Sequence, residues 1–137
     1  YPPLWVCGGG EKVTLKLLAK YGDYGNWDVD VEGFKHKSQI LREHCINEKR
    51  NFNEIGRTLH TNVLIGNNKD DLDSKINKLA EYTNIPKDYY YNRPLIGTRD
   101  EVFTTINQFE EQGCSYLIAY IPDIVWGDTL EILSELI

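Results

Sequence analysis

Short apolar runs alternate along the chain with longer stretches in which apolar residues recur every three or four positions. The runs are typical of strands, and the periodic stretches are typical of helices with one buried face. We count four strand-then-helix units, which is the pattern of β/α units around a parallel sheet. The pattern therefore predicts an α/β protein with parallel strands, and we expect residues 1–137 to form a single unit.

The first two units precede residue 50. The first has an apolar run at 4–7, which we expect to be buried on both faces, and a helix over about 11–21. The second has a short strand near 24–27 and a long helix over about 31–49, with Asp30 as its N-cap. The helical spacing predicts that one face of this long helix packs on the sheet and that its charged residues are solvated, namely Lys35, Lys37, Arg42 and Glu43.

The third unit has the clearest strand, at 59–65, and a helix over about 70–83 with acidic residues in its first turn. Residues 85–94 read as an irregular or short helical connector. In the fourth unit, Thr98 and Glu101 form a capping box that begins a helix ending near residue 112. A strand at 116–121 follows, and we expect Asp128 to cap a final helix.

Three consecutive glycines join the first strand to the first helix. Without Cβ atoms, Gly8, Gly9 and Gly10 let a ligand approach the backbone, and the first amides of the helix point toward that ligand. Lys12 could add a charge and Thr14 a hydroxyl to a bound phosphate. The pattern predicts an anion-binding corner, although an ordinary tight turn also recruits glycine.

Two known phosphate motifs do not match this corner. The dinucleotide fingerprint needs a third glycine where Val13 stands, and the Walker loop needs a Gly-Lys-Ser or Gly-Lys-Thr ending. Glu11 would repel an anion unless its side chain points outward. The alternative interpretation is that Glu11 and Lys12 belong to a solvated first turn.

Composition narrows the class of protein. The formal net charge of −6 and the scattered basic residues argue against a nucleic-acid surface, and no apolar run is long enough for a membrane helix. Cys7, Cys45 and Cys114 form no metal or disulfide pattern, so we expect buried, inert thiols and no metal. These features favour a cytoplasmic location. Because the chain holds no methionine, we also expect it to be a fragment of a longer protein.

Other catalytic signals are weak. The chain has no nucleophile elbow, no zinc-protease motif and no paired cysteine and histidine signal. Its three histidines are predicted to serve in packing or at the surface, although His60 lies on the third strand and could act as an acid or base. The aromatic residues near Trp27 and at 89–91 are more typical of packing than of a cofactor wall.

The segment Pro2 to Asp23, which contains Leu-Trp-Val-Cys-Gly-Gly-Gly-Glu-Lys-Val-Thr-Leu, resembles the luciferase-like monooxygenase superfamily. More narrowly, it resembles the branch of oxidoreductases that depend on the deazaflavin coenzyme F420. The resemblance continues through residues 25–27, 34–45, 50–55 and 97–98. It covers nearly the whole chain.

The resemblance implies the C-terminal half of a (β/α)8 barrel, from the fifth strand to the eighth. It implies that the glycine turn holds the phosphate of F420, or alternatively of FMN, and that the end of the next strand lies near the same cofactor. The cofactor-binding residues implied are Gly8, Gly9, Gly10, Lys12, Thr14, Asn26 and Trp27.

The implied activity is hydride transfer to or from an unknown small organic substrate, with catalytic residues unknown. The alternatives are an FMN-dependent monooxygenase of the same superfamily and a noncatalytic half-barrel that associates with itself. Because four units leave an apolar interior and two strand edges open, we expect a homo-oligomer or pairing with an N-terminal half-barrel. The isolated chain is expected to be inactive.

Overall fold

The computed structural model describes residues 1–137 and confirms the α/β alternation of parallel strands and helices. The strands are β1 (Trp5–Cys7), β2 (Tyr24–Trp27), β3 (Gly56–Gly66), β4 (Leu95–Thr98) and β5 (Cys114–Tyr120). The helices are α1 (Thr14–Tyr21), α2 (Val31–Glu48), α3 (Lys69–Thr83), α4 (Lys87–Tyr91), α5 (Arg99–Glu111) and α6 (Thr129–Leu136), with a 3₁₀ turn at Phe52–Glu54. These elements form two compact units.

The first unit comprises Tyr1–His60 and Phe109–Ile118. Strands β1, β2 and the first part of β3 pair in parallel, so that residues in register line up across the sheet. One row holds Trp5, Tyr24 and Gly56, where the Tyr24 ring fills the space a Gly56 Cβ would need. The next row on the same face, toward the carboxyl ends of the strands, holds Cys7, Asn26 and Thr58.

The predicted burial of the first strand on both faces is wrong. Leu4 is 48% exposed, Trp5 is 38% exposed and Cys7 is exposed. The reason is that β1 has a single partner strand, β2, and one face carrying Trp5 is open. The prediction that all three cysteines are buried is correct for Cys45, wrong for the exposed Cys7, and wrong for Cys114, which is only partly buried.

Helix α2 begins as the sequence predicts. The Asp30 side chain accepts a hydrogen bond of 2.8 Å from the Gly33 amide, which satisfies one of the free donors of the first turn. Phe34, Leu41 and Cys45 are buried on its inner face. The prediction that all its charged residues are solvated is wrong for one of them, because the side chain of Lys37 is only 15% exposed.

The second unit comprises Thr61–Gln108 and Ala119–Ile137. The end of β3 pairs in parallel with β4, with Val63 opposite Leu95 and Gly66 opposite Thr98. Strand β4 is not predicted by the sequence pattern, because a four-residue strand beside a capping box gives no periodic signal. A buried cluster packs α3 and α4 against β3, and it consists of Leu64, Leu72, Ile76, Leu79 and Tyr90.

Two predicted caps differ in detail from the structure. Glu101 reaches back to the Thr98 amide at 2.8 Å, as a capping box requires, but the Thr98 hydroxyl also donates to this carboxylate. Asp128 precedes α6 without capping it through its side chain, because its carboxylate accepts from Lys75 and Asn67 instead. Helix α1 begins at Thr14, and residues 11–13 form a turn rather than its first residues.

No helix of the chain combines the length and the apolar character that crossing a membrane would require.

Candidate functional site

The glycine corner lies at the carboxyl end of β1 and begins with a left-handed residue. Gly8 has a φ of +108°, a conformation that side chains other than glycine rarely adopt, and its amide donates to the Asn26 carbonyl at 3.3 Å. The chain therefore leaves the sheet at Gly8 and turns toward α1. This turn is the element that positions the predicted site.

Gly9 lies against a lysine from α2. The Lys37 ammonium donates to the Gly9 carbonyl at 2.7 Å, and a Cβ on Gly9 would lie 2.7 Å from the same nitrogen. The missing side chain of Gly9 thus makes room for Lys37. Because the carbonyl uses one of three N–H groups, the ammonium keeps donors for a second acceptor at the corner.

Gly10 and the start of α1 complete the turn. The Gly10 carbonyl accepts from the Leu15 amide at 2.9 Å, and a Cβ on Gly10 would lie 2.8 Å from the Thr14 hydroxyl oxygen. Val13 occupies the N-cap position of α1 and supplies no side-chain hydrogen bond to the helix. The Leu15 amide is thus used within the turn, whereas the other amides of the first turn of α1 have no side-chain cap and can bond to an external acceptor, with the positive end of the helix dipole behind them.

Glu11 brings a negative charge to the same corner. Its carboxylate accepts from His36 at 3.0 Å and lies 4.0 Å from the Lys37 ammonium, and its carbonyl accepts from His44 at 2.8 Å. Side chains of α2 thus hold Glu11 from both its carboxylate and its backbone. Because these partners turn the carboxylate toward α2, the repulsion expected between Glu11 and an anion is reduced.

Lys12 and Asn26 differ in burial, since Lys12 is exposed and Asn26 is buried. The Lys12 side chain is exposed beside the turn, where it can reach a bound anion without being fixed. Asn26 is only 7% exposed and lies in the row with Cys7 and Thr58. Thr58 places its hydroxyl 3.0 Å from the Asn26 side-chain oxygen, and the Asn26 amide nitrogen lies 4.0 Å from the Cys7 sulfur.

Trp27 belongs to the core. It is 1% exposed, and its ring packs edge-on against Phe34 at 5.1 Å between centroids. A ligand at the corner would not reach this ring without displacing the helix layer. Trp27 therefore lies apart from the glycine corner. The other predicted residues lie closer to it: Gly8, Gly9 and Gly10 follow β1, Thr14 begins α1 and Asn26 lies near the carboxyl end of β2.

Two residues near the corner escaped the sequence analysis. In the sequence, Lys37 cannot be distinguished from the surface lysines, and no local pattern links it to Gly9, which lies 28 positions earlier. Thr58 is fully buried one residue before the strand predicted at 59–65. The signal that could have found Lys37 is its position on α2, because the helix after β2 packs beside α1. His60 lies on β3, partly exposed, and stays a candidate acid or base.

Comparison with known proteins defines the fold. No protein-family model matches the sequence, and no curated protein matches it. Among solved structures, the chain is similar to an F420-dependent secondary alcohol dehydrogenase in complex with an F420-acetone adduct, with a TM-score of 0.74 and 15% sequence identity. That match covers 98% of this chain and 48% of the dehydrogenase.

Two further structures extend the comparison. The coenzyme F420-dependent tetrahydromethanopterin reductase of Methanopyrus kandleri matches with a TM-score of 0.67 and 15% identity, over 98% of this chain and 48% of its own. A long-chain alkane monooxygenase matches with a TM-score of 0.68 and 18% identity, over 98% of this chain and 39% of its own.

The chain thus spans about half the length of the structures it matches. Its parallel β/α units share the fold of about half of each of these structures and correspond to half of a (β/α)8 barrel.

Proposed function

We propose that this chain is part of an oxidoreductase of the luciferase-like type and that its glycine corner holds the phosphate of a deazaflavin or flavin. The single observation that carries the proposal is the corner itself. A left-handed Gly8, a helix start without a side-chain cap and the partly buried Lys37 ammonium meet at the carboxyl end of a parallel strand. This is the edge of an α/β sheet at which ligands bind.

The residues present fit a phosphate group. The amides of the first turn of α1 and the Thr14 hydroxyl would donate to its oxygens, and Lys37 would contribute its remaining N–H groups. Lys12 would add a mobile charge from the solvent side. Glu11 lowers the net positive charge of the corner, so the backbone amides rather than the side chains would carry most of the binding.

Asn26 is proposed to contact the same cofactor from the floor of the site. Its side-chain oxygen faces the Thr58 hydroxyl, so its amide nitrogen is directed away from Thr58 and toward Cys7. That nitrogen can donate to an acceptor placed over the row of Cys7, Asn26 and Thr58. Thr58 would then fix the orientation of the Asn26 amide.

The cofactor, when bound, would accept or deliver a hydride in exchange with a small organic substrate. This chain would bind, orient and partly enclose it, and we propose that most of the acid or base groups belong to the other half of the barrel, with His60 as a candidate within this chain. We therefore propose that the chain alone is inactive. We also propose a cytoplasmic location, which the three free thiols support.

F420 is the first choice of cofactor, and FMN is the alternative. Two of the similar structures are described as F420-dependent, and a third contains a modified FMN. An FMN-dependent monooxygenase is accordingly the second candidate activity, and the similarity to an alkane monooxygenase favours it.

The open sheet face of the first unit favours the proposal that the chain binds a protein partner. Trp5 stacks on Tyr24 at 4.5 Å, and Tyr116, which is 55% exposed, meets both rings edge-on. Exposed aromatic rings in a continuous group are typical of an interface. We propose that a complementary half-barrel or a second copy of this chain covers this face. If the chain serves only to associate with a second copy or a partner, the protein is noncatalytic.

Fluorescence titration of the chain with F420 and with FMN tests the proposal. We expect saturable binding of at least one cofactor, weakened at least about tenfold by Lys37→Met and by Gly9→Val. Lys20→Met, which removes an exposed lysine from the last turn of α1, is the matched control and should leave the affinity unchanged. A stable oligomer that binds neither cofactor would instead support the noncatalytic half-barrel.

A further inference from the structure

A second cleft lies on the opposite flank of α2 from the glycine corner. It has a volume of about 420 Å³ and lies entirely within the first unit, between α2 and the turn from α5 to β5. The residues that α2 contributes are spaced three and four apart, so they form one stripe along the helix. They are Lys35, Ser38, Gln39 and Arg42, and the wall opposite consists of Arg57, Glu111, Gln112 and Gly113.

The cleft is positively charged, whereas the protein as a whole carries a net negative charge. Three cations and one carboxylate line it, in a chain whose formal net charge is −6. None of Lys35, Arg42 and Arg57 forms an ion pair with Glu111 or with another carboxylate. The positive charge is therefore concentrated locally and is not neutralised within the fold.

Two of the cations share one aromatic ring. The guanidinium carbons of Arg42 and Arg57 lie 4.0 Å and 4.5 Å from the centre of the buried Phe52 ring. The ring attracts each cation but carries no net charge, so the two guanidinium groups still repel each other. Burial, and next the charge of Arg42, lower the pKa of the Arg57 guanidinium. Such a pair is stabilised by an anion.

Arg57 is held in place and is only partly satisfied. One terminal nitrogen donates to the Ser38 hydroxyl at 3.2 Å and to the Gln112 carbonyl at 2.9 Å. The Nε atom of Arg57 is buried without a hydrogen-bond partner. The Ser38 hydroxyl, which accepts from Arg57, keeps its own hydrogen for another acceptor. The Arg57 Nη2 group, which lies beside Gly113 in the lining of the cleft, and the Ser38 hydroxyl can donate to an oxygen-rich ligand there.

The fold keeps the cleft open for the guanidinium. Gly113 has a φ of +85°, and a Cβ at this position would lie 2.2 Å from the Arg57 Nη2 atom. Glycine is therefore required both by the backbone and by the position of Arg57. Any larger residue would push the guanidinium out of the wall.

From these contacts we infer that the cleft between α2 and the α5–β5 turn is a binding site for a compact oxoanion of phosphate size. Arg57 and Arg42 provide the charge, and the Arg57 Nη2 group beside Gly113 and the Ser38 hydroxyl provide directed donors. The cleft is separate from the glycine corner, since Lys37 and His44 face that corner from the other flank of α2. Its occupant is independent of the proposed cofactor.

Inorganic phosphate and sulfate are suitable probes, added to the full chain at constant ionic strength. The Arg57 Nε–H signal in a ¹⁵N-labelled sample reports on the cleft and not on the glycine corner. We expect this signal to shift saturably with either anion. Arg42→Gln should weaken the binding about tenfold, because one charged hydrogen bond is lost. Lys16→Gln, on α1, is the control and should leave the titration unchanged.

Two results would overturn the inference. One is an Arg57 Nε–H signal that does not respond to either anion. The other is a response of equal size in the wild type and in Arg42→Gln, which would indicate a general effect of salt. If Arg42→Gln does not fold, Lys35→Gln replaces it, since Lys35 is exposed and carries no packing role. It should weaken binding about threefold.

Discussion

The Lys37 ammonium occupies the space beside Gly9 that a side chain would fill, and it donates to the Gly9 carbonyl at 2.7 Å. The two residues are 28 positions apart, so this contact fixes the turn after β1 to the helix after β2. The glycine at position 9 is thereby explained by the protein's own lysine as well as by the proposed ligand.

A double-mutant cycle tests this relationship. Gly9→Ala in the wild type should displace Lys37 and cost about 1 kcal/mol of unfolding free energy, because a hydrogen bond to a charged group is lost. In a Lys37→Ala background the same change should be neutral or slightly stabilising, since alanine reduces the freedom of the unfolded chain. Urea unfolding of the four proteins gives the coupling energy. Equal effects in both backgrounds would contradict the contact.

Thr58 and Asn26 allow a second prediction. Thr58→Val removes the hydroxyl that faces the buried Asn26 side-chain oxygen and the Gly25 carbonyl at 3.0 Å and 2.9 Å. We expect a loss of about 1 kcal/mol in unfolding free energy, measured by urea denaturation. Thr58→Ser keeps the hydroxyl and should retain most of the hydrogen-bond contribution. If serine and valine behave alike, the hydroxyl contributes nothing and only the methyl group matters.

Gly113→Ala should destabilise the protein by about 1 to 3 kcal/mol, because alanine disfavours a φ of +85° and its Cβ would meet Arg57. Asn47→Ala is the control, at an exposed position of α2 where the backbone is helical and alanine is favoured. Thermal unfolding of both variants measures the difference. A Gly113→Ala protein as stable as Asn47→Ala would show that the turn adapts.

The pH dependence of stability tests the pair Lys75 and Asp128 in the second unit. Lys75 is 7% exposed and donates to the Asp128 carboxylate and, at 2.6 Å, to the Ile65 carbonyl. The hydrogen bond from Lys75 is the main reason that the pKa of Asp128 is lowered. Because the folded-state pKa lies below the unfolded one, the stabilisation is present above about pH 4 and is lost as the pH falls through the folded-state pKa.

Asp128→Asn removes this dependence. At pH 7 we expect the variant to be about 1 to 2 kcal/mol less stable, a modest figure because the Asp128 side chain is half exposed. The difference between variant and wild type should vanish near pH 2. Urea unfolding across that pH range is the measurement, and a constant difference would show that the carboxylate charge is irrelevant.

Much of the fold was predictable because its signals are local. Asp30 caps α2 where the sequence places a cap, and the apolar run of β3 and the periodicity of α3 lie close to their predicted positions. The burial of β1 was not predictable in the same way. Whether an apolar strand is covered depends on its neighbours, and Trp5 and Tyr24 stack on a face that this chain leaves open.

The candidate site was predictable only in part, for a related reason. Consecutive glycines are visible in the sequence, and their position after a strand indicates a turn. Lys37 and Thr58 reach the corner through packing between elements of the first unit that are distant in sequence, which no local pattern encodes. Trp27, by contrast, adjoins Asn26 in sequence but points into the core, because neighbouring residues of a strand face opposite sides.

The claim that the glycine corner holds the cofactor phosphate is tested most directly at its own amides. Backbone amide signals of Gly8, Gly9 and Gly10 would be followed by NMR in a ¹⁵N-labelled chain during titration with F420 and with FMN. We expect these three signals to shift saturably with one cofactor and Lys37→Met to weaken the response. Saturable binding that leaves all three signals unmoved would contradict the claim.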